Sequence, residues 1–327
     1  MSDIEKFEIR ISNYGKDSTV VVVRRFSDDR RNILFFNNCD AINGTIYFLI
    51  MSNLNKKIQI DLACDNDFWN DFVELHNKYN KKNTKLIFTK KSAKILNQKI
   101  KDYNVFFTGG KDSVLTLLLV NKNKIIPNVT IFESQISNYS LEHLYKNKFI
   151  TKEIEFFSSN IDNELFYTVE DYESDLVVLL PILSKYAYNY IGINSDDLIY
   201  DYIFDFYDYE KLFLNHNLKL VSPIVGLRPS SVLAYCEKEE LSFTKCAGDD
   251  YCYLCTECYS VFFDFGYKVI KSFNPPQRIF DGMINKVAKD PNKFFAFKEH
   301  NYLRIRKKYK KFIVNKFKYW YKEYRKQ

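Results

Sequence analysis

Hydrophobic and polar positions alternate along the first sixty-odd residues in short runs. Phe7–Ile11, Thr19–Arg25, Ile33–Phe36, Thr45–Met51 and Ile58–Leu62 are apolar or β-branched, with Asn, Asp, Gly and Ser between them. This pattern predicts strands joined by turns. The period then lengthens. Phe68, Phe72, Leu75 and Tyr79 recur at helical spacing and predict a helix over Asp67 to Tyr79. Lys85–Thr89 reads as one more strand. The front of the chain, residues 1–98, is expected to be a β-rich domain.

From Tyr103 the two periods take turns. Strands are expected at Asn104–Phe107, Val129–Phe132, Ile154–Phe156 and Tyr190–Ile193, with helices at Ser113–Val120, Leu141–Lys148 and Leu176–Tyr190. Alternating strands and helices predict an α/β fold, a doubly wound parallel sheet with helices on both faces. Residues 99–275 form this expected domain. Ligands in such sheets bind beyond the carboxyl ends of the strands.

One such strand end carries chemistry. Val105-Phe106-Phe107 runs into Thr108-Gly109-Gly110-Lys111-Asp112-Ser113, and an apolar run follows. The pattern is strand, tight turn, helix. Adjacent glycines permit φ > 0 and close backbone approach. The first N–H groups of a helix are unpaired and carry partial positive charge. With the hydroxyls of Thr108 and Ser113 and the cation of Lys111, the turn suits phosphate oxygens. Neither G-x-x-x-x-G-K-[ST] nor G-x-G-x-x-G occurs there. Glu133 follows the second strand, and Asp196 and Asp197 follow the fourth. Their positions nominate them for the rim of the same crevice, near ribose or acceptor.

Cysteines supply the second signal. Cys246, Cys252, Cys255 and Cys258 stand as C-x5-C-x2-C-x2-C. Thiolates at this spacing can close a tetrahedral Zn²⁺ site with no open position, a structural role. A redox pair at Cys252–Cys255 or Cys255–Cys258 competes, and the other two cysteines argue against it. Cys39, Cys64 and Cys236 read as core thiols.

Charge changes the picture at the C-terminus. The chain of 327 residues carries +7, but Arg304 to Gln327 alone holds eleven Lys or Arg against Glu323, leaving the rest at −3. Ile305, Tyr309, Ile313, Phe317, Trp320 and Tyr324 recur at steps of four and three, an amphipathic basic helix. Residues 276–327 are thus expected to be a helical basic extension. It could dock its aromatic stripe on the body, grip the backbone of a nucleic acid, or meet a membrane surface or partner. The high aromatic content, 25 Tyr and 29 Phe, fits A/T-rich codon usage better than a base-stacking surface. No apolar run reaches membrane-span length, and MSDIEKFEIR lacks a signal-peptide core, so a cytoplasmic location is expected.

TGGKDS resembles the SGGxDS loop of the PP-loop ATP pyrophosphatases, with Thr for the first Ser. The order of TGGKDS, IGINSDD, LVSPIVGLRPSSVLAYC and the four cysteines is similar to the QueC-like 7-cyano-7-deazaguanine synthases, over roughly Tyr103 to Gly266. The resemblance implies an adenine nucleotide α-hydrolase-like fold. It implies ATP and Mg²⁺ at Thr108, Gly109, Gly110, Asp112 and Ser113, Asp112 and Lys111 in the reaction, and zinc on the four cysteines. It also implies adenylation of a 7-deazaguanine carboxylate, followed by amide or nitrile formation. The segments that would recognise the base depart from the family. FESQISNYSLEH keeps only Gln135 and His143, and DDLIYDYIFD replaces an aspartate-bearing segment. The acceptor can therefore differ, and a protein or a nucleic acid is an option. The added front domain is similar in placement to that of QueC-like proteins of anti-phage defence. Alternatives are a nucleotide- or nucleic-acid-binding module that has lost turnover, and an ATP-dependent tRNA-modifying enzyme that would need Cys236. A homodimer is open.

Overall fold

The computed structural model describes residues 4–15, 17–93, 100–132, 137–168, 176–194, 206–227 and 229–244. Its main sheet has eight strands in the order β11-β10-β7-β8-β9-β4-β3-β2. Five of them are parallel: β7 (Ile100–Phe106), β8 (Asn128–Phe132), β9 (Ile154–Ser159), β10 (Tyr186–Tyr190) and β11 (Lys219–Val221). Numbered along the chain from β7, these five lie in the order 3-2-1-4-5. The order therefore reverses between β7 and β10, the topological switch point at which α/β sheets open a crevice.

The three antiparallel strands β2 (Phe7–Tyr14), β3 (Ser18–Arg25) and β4 (Arg31–Asn37) continue the same sheet, through Phe36↔Ser159 and Asn37↔Ser158. Asn160 locks this seam. Its Oδ1 accepts from Phe35 N at 2.7 Å and its Nδ2 donates to Ile33 O at 2.9 Å. A second, parallel sheet holds β1 (Ile4–Glu5), β5 (Lys57–Ile60) and β6 (Lys85–Phe88).

Thr45–Met51, expected as a strand, lies in helix α1 (Ala41–Met51). Asp40 caps it by accepting from Ile42 N at 2.9 Å and Asn43 N at 3.0 Å. Every residue from Asn43 to Met51 is buried, so no polar face marks the helical period, and the β-branched and aromatic content pointed to a strand. Gly44 lets α1 close on β4, since a Cβ there would lie 2.1 Å from Phe36 Cε1. Helix α2 (Asn66–Asn80) starts on Asp65 and ends at Lys81 in the left-handed conformation, φ 52°.

The expected helix Leu176–Tyr190 is also corrected. A helical segment α6 (Leu176–Leu183) contains Pro181, and the chain then turns into β10, four residues earlier than the expected strand. Leu176, Leu179, Leu180, Ile182 and Leu183 all have positive φ, so α6 is not an ordinary right-handed helix, and nothing in its sequence explains that. The other helices are α3 (Lys111–Lys122), α4 (Ser137–Lys146), α5 (Ile161–Thr168), α7 (Phe206–Asn215) and α8 (Pro229–Lys238).

The parallel sheet is covered on both faces, and β7 shows it by alternation. Phe106 joins the large cluster that includes Ile46, Trp69, Ile161 and Tyr209, whereas Val105 and Phe107 join Val114, Leu117 and Leu144 of α3 and α4. At Trp69 the indole N–H finds a buried acceptor, Asn43 Oδ1, at 3.1 Å. Among the described residues no helix is long and apolar enough to cross a membrane.

Candidate functional site

The glycine loop leaves the carboxyl end of β7 at the switch point. Gly109 has φ +77°, a conformation that side-chain-bearing residues rarely adopt, and a Cβ there would stand 2.9 Å from the backbone Cα of Ser140. Gly110 is the N-cap of α3 with φ −72° and ψ 161°, and it offers no side-chain cap. The first N–H groups of α3 therefore depend on something other than a capping side chain.

Ser113 closes the loop from inside. Its Oγ accepts from Thr108 N at 3.2 Å and donates to Gly110 O at 3.0 Å, and Thr108 Oγ1 lies 3.2 Å away. Thr108 itself is exposed and Ser113 is buried. Both hydroxyls brace the turn: Thr108 is the more exposed residue, yet its Oγ1 stays within the loop, 3.2 Å from Ser113 Oγ and 3.5 Å from Gly110 N, which donates to it. Ser140 Oγ on α4 donates to Thr108 O at 2.8 Å, and Thr244 N donates to Gly109 O at 2.7 Å. Asn147 in turn holds Ser242 on both sides, at 2.7 Å to its N and 2.7 Å to its O, while His143 Nδ1 lies 2.8 Å from Ser242 Oγ. The Ser242–Thr244 segment is a fixed wall of the loop. Beside it, the Thr244 hydroxyl oxygen is buried without a hydrogen-bond partner among the described residues.

Lys111 and Asp112 face each other. Lys111 Nζ lies 2.8 Å from Asp112 Oδ2, with the lysine side chain only 6% exposed and the carboxylate 20%. Asn194, buried just beyond β10, donates from Nδ2 to Asp112 Oδ1 at 3.0 Å. Gly192 permits that approach, because a Cβ there would lie 2.6 Å from Asp112 C and 2.8 Å from Ser113 N. Ser222 holds the same strand end by donating to Ile193 O at 2.7 Å. The switch point thus brings the loop, the first turn of α3 and the segment after β10 together.

Gly192 and Asn194 belong to the strand end Gly192 to Asp197 that the sequence places at the same crevice, and both meet Asp112; Ser140 and Thr244 were not singled out from sequence. Ser140 and Thr244 carried no signal, since each contacts the loop from a distant part of the chain. Glu133, Asp196, Asp197 and all four cysteines of the expected zinc site lie outside the described residues. So do the basic residues of the C-terminal stripe. Among the described residues, no group of three or more His, Cys, Asp or Glu could hold a metal.

The remaining cysteines are not poised for chemistry. Burial pushes the Cys236 thiol up to about 12, with the Asp112 charge adding to it, and its Sγ–H lies against Lys111 O at 3.6 Å. Burial does the same at Cys39 and Cys64, each to about 12. All three stay thiols at neutral pH, so a mechanism that uses Cys236 as a nucleophile gains no support.

No protein-family model matches the chain, and no curated protein does. Among solved structures, one from Methanocaldococcus jannaschii DSM, described as a predicted subunit of tRNA methyltransferase, is similar at 17% identity, with a TM-score of 0.35. The match covers 42% of this chain and 75% of that one. So slight a likeness carries no argument about activity.

Proposed function

We propose that the chain binds ATP at the Thr108–Ser113 loop, splits it between the α- and β-phosphates, and transfers AMP to a carboxylate. The observation that carries this reading is the position of the loop. It stands at the one place where the parallel strand order reverses, with a glycine in the left-handed conformation and a helix N-terminus that has no side-chain cap.

The residues fit the groups such a reaction needs. The N–H groups at the start of α3, with the exposed Thr108 beside them, would hold pyrophosphate oxygens. Lys111 supplies the adjacent cation, and Asp112 supplies a carboxylate oxygen for Mg²⁺. When bound, Mg²⁺ neutralises charge on the phosphates. A carboxylate oxygen of the substrate attacks the α-phosphorus, the bond to the bridging oxygen breaks, and pyrophosphate leaves with the electron pair. A nitrogen nucleophile then attacks the acyl carbon, and AMP leaves in place of a poor oxide leaving group. Proximity and electrostatics suffice for both displacements, so no side-chain nucleophile is required.

On this reading the acceptor is a 7-deazaguanine-like carboxylate, free or carried by a protein or nucleic acid, as the family resemblance implies. Zinc on Cys246, Cys252, Cys255 and Cys258 would tether the chain just beyond Thr244 and so steady the wall of the loop. Adenylation is reversible, and this supplies the test. Labelled pyrophosphate should exchange into ATP only when the carboxylate substrate is present, and carboxy-deazaguanine is the first candidate. Exchange that is absent with every carboxylate tried, in a chain shown to bind ATP, would count against adenylation.

One observation favours a second reading, nucleotide binding without turnover. Both carboxylate oxygens of Asp112 already have protein partners, Lys111 and Asn194. Under that reading ATP binds and neither AMP nor pyrophosphate appears.

A further inference from the structure

The eight-stranded sheet ends, among the described residues, on β2, whose eight residues pair with β3 without a register break from Phe7↔Arg25 to Tyr14↔Ser18. Edge strands of this length are ordinarily protected by proline, a bulge or charged side chains, lysine above all. FEIRISNY has no proline, lysine or bulge, and its two charges, Glu8 and Arg10, are of opposite sign and pair with each other. Ile11 is 41% exposed and Tyr14 63%.

The ladder determines which backbone groups are open. Phe26 N donates to Lys6 O at 3.1 Å, so Lys6 bonds toward β3, and by antiparallel alternation Glu8, Arg10 and Ser12 do the same. The N–H and C=O groups of Phe7, Ile9, Ile11 and Asn13 therefore point away from the sheet. Side chains alternate as well. Phe7 and Ile9 pack against the main core, and Ile11 shares their face opposite Val21. Glu8 and Arg10 share the other face, where Arg10 Nη2 lies 2.6 Å from Glu8 Oε1.

We infer that β2 pairs with β2 of a second copy of this chain, antiparallel about a two-fold axis at Ile9. In this register Ile9 faces Ile9 of the second copy, Phe7 faces Ile11, and each pair exchanges both open backbone bonds. On the other face, Glu8 stands opposite Arg10 of the second copy, twice by symmetry. Opposite charges directly across an antiparallel pair stabilise it, and like charges oppose it. Centring the axis on Arg10 instead would set two arginines face to face. The charge pattern thus selects both the occupant and the register, and the two main sheets become one continuous sheet. The inference is independent of the proposed reaction.

The test is sedimentation equilibrium of the full 39.0 kDa chain, at concentrations up to about 100 µM because a single-strand contact is a small interface. The wild type should dimerise. Arg10→Glu alone should set Glu against Glu, and Glu8→Arg alone Arg against Arg. Each should raise the dimer dissociation constant about tenfold or more, with the thermal melt confirming a folded chain. Mixed in equal amounts, the two variants should form a heterodimer, because both facing pairs are then complementary. A wild type that stays monomeric overturns the inference. So do single variants that dimerise as the wild type does, or a mixture that stays as monomeric as its parts.

Discussion

Alanine in place of Gly109 and in place of Gly110 should fail in different ways, although the two are neighbours of the same type. At Gly109 the φ of +77° costs an alanine about 1–2 kcal/mol. Its Cβ would also lie 2.9 Å from the Cα of Ser140 and 3.3 Å from the hydroxyls of Ser140 and Thr244. Ser140 and Thr244 are the residues that hold the loop, so the clash cannot be relieved at a flexible side-chain end. Overpacking of this kind adds about 1–3 kcal/mol, and the stiffer unfolded chain returns less than about 1 kcal/mol. The expected loss for Gly109→Ala is roughly 2–4 kcal/mol. At Gly110 the backbone is already in a region open to any residue, and the nearest atom to a new Cβ is Thr108 Oγ1 at 3.6 Å. Gly110→Ala should therefore cost under about 1 kcal/mol in stability, as a poorer N-cap. Its methyl group would instead project where phosphate oxygens approach α3. Binding of α,β-methylene ATP with Mg²⁺, measured by calorimetry, should weaken about tenfold or more, equivalent to ~1.4 kcal/mol. Urea unfolding supplies the stability arm. If both variants lose equal stability, the loop geometry is wrong. If Gly110→Ala binds the nucleotide as the wild type does, phosphate does not sit at the start of α3.

Gly192→Ala would force a methyl group to within 2.6–2.8 Å of backbone atoms of Asp112 and Ser113, and should cost about 1–3 kcal/mol in urea unfolding while weakening nucleotide binding, because the first turn of α3 must shift. His76 gives a pH signature: burial, with Lys82 adding to it, pushes its imidazole down from 6.5 to about 4. Between those values the unfolded chain takes up a proton that the folded chain refuses, so stability falls as pH drops. The wild type should lose about 2 kcal/mol from this group between pH 7.5 and pH 5, and His76→Gln should flatten that part of the urea-midpoint profile.

What could be read from sequence depended on whether a segment showed water a face. Strands β2 to β4 are half-exposed and their alternation was legible. Helix α2 has an amphipathic period and was legible too. Helix α1 is buried all round from Asn43 onward, so its period vanished and Thr, Ile, Tyr and Phe suggested a strand. The cap on Asp40 was the available clue. In the Leu176–Tyr190 run, the apolar stretch Leu176–Leu183 masked any period, and Pro181 and the polar Ser184-Lys185 were the available clues to the break between α6 and β10. The loop was legible because its glycines and the strand-to-helix change are local. Asn194 was legible as part of a strand end facing the same crevice, but Ser140 and Thr244 were not, since they arrive from sequence-distant elements and only the folded sheet brings them to the loop. The pairing of β4 with β9, which joins the front strands to the parallel sheet, is long-range in the same sense.

The most direct test of the central claim is the identity of the nucleotide released from ATP. The full chain, with Mg²⁺, carboxy-deazaguanine and ammonium, should convert ATP to AMP and pyrophosphate in equal amounts, and Asp112→Ala should abolish both. Release of ADP and phosphate instead would contradict cleavage between the α- and β-phosphates at this loop.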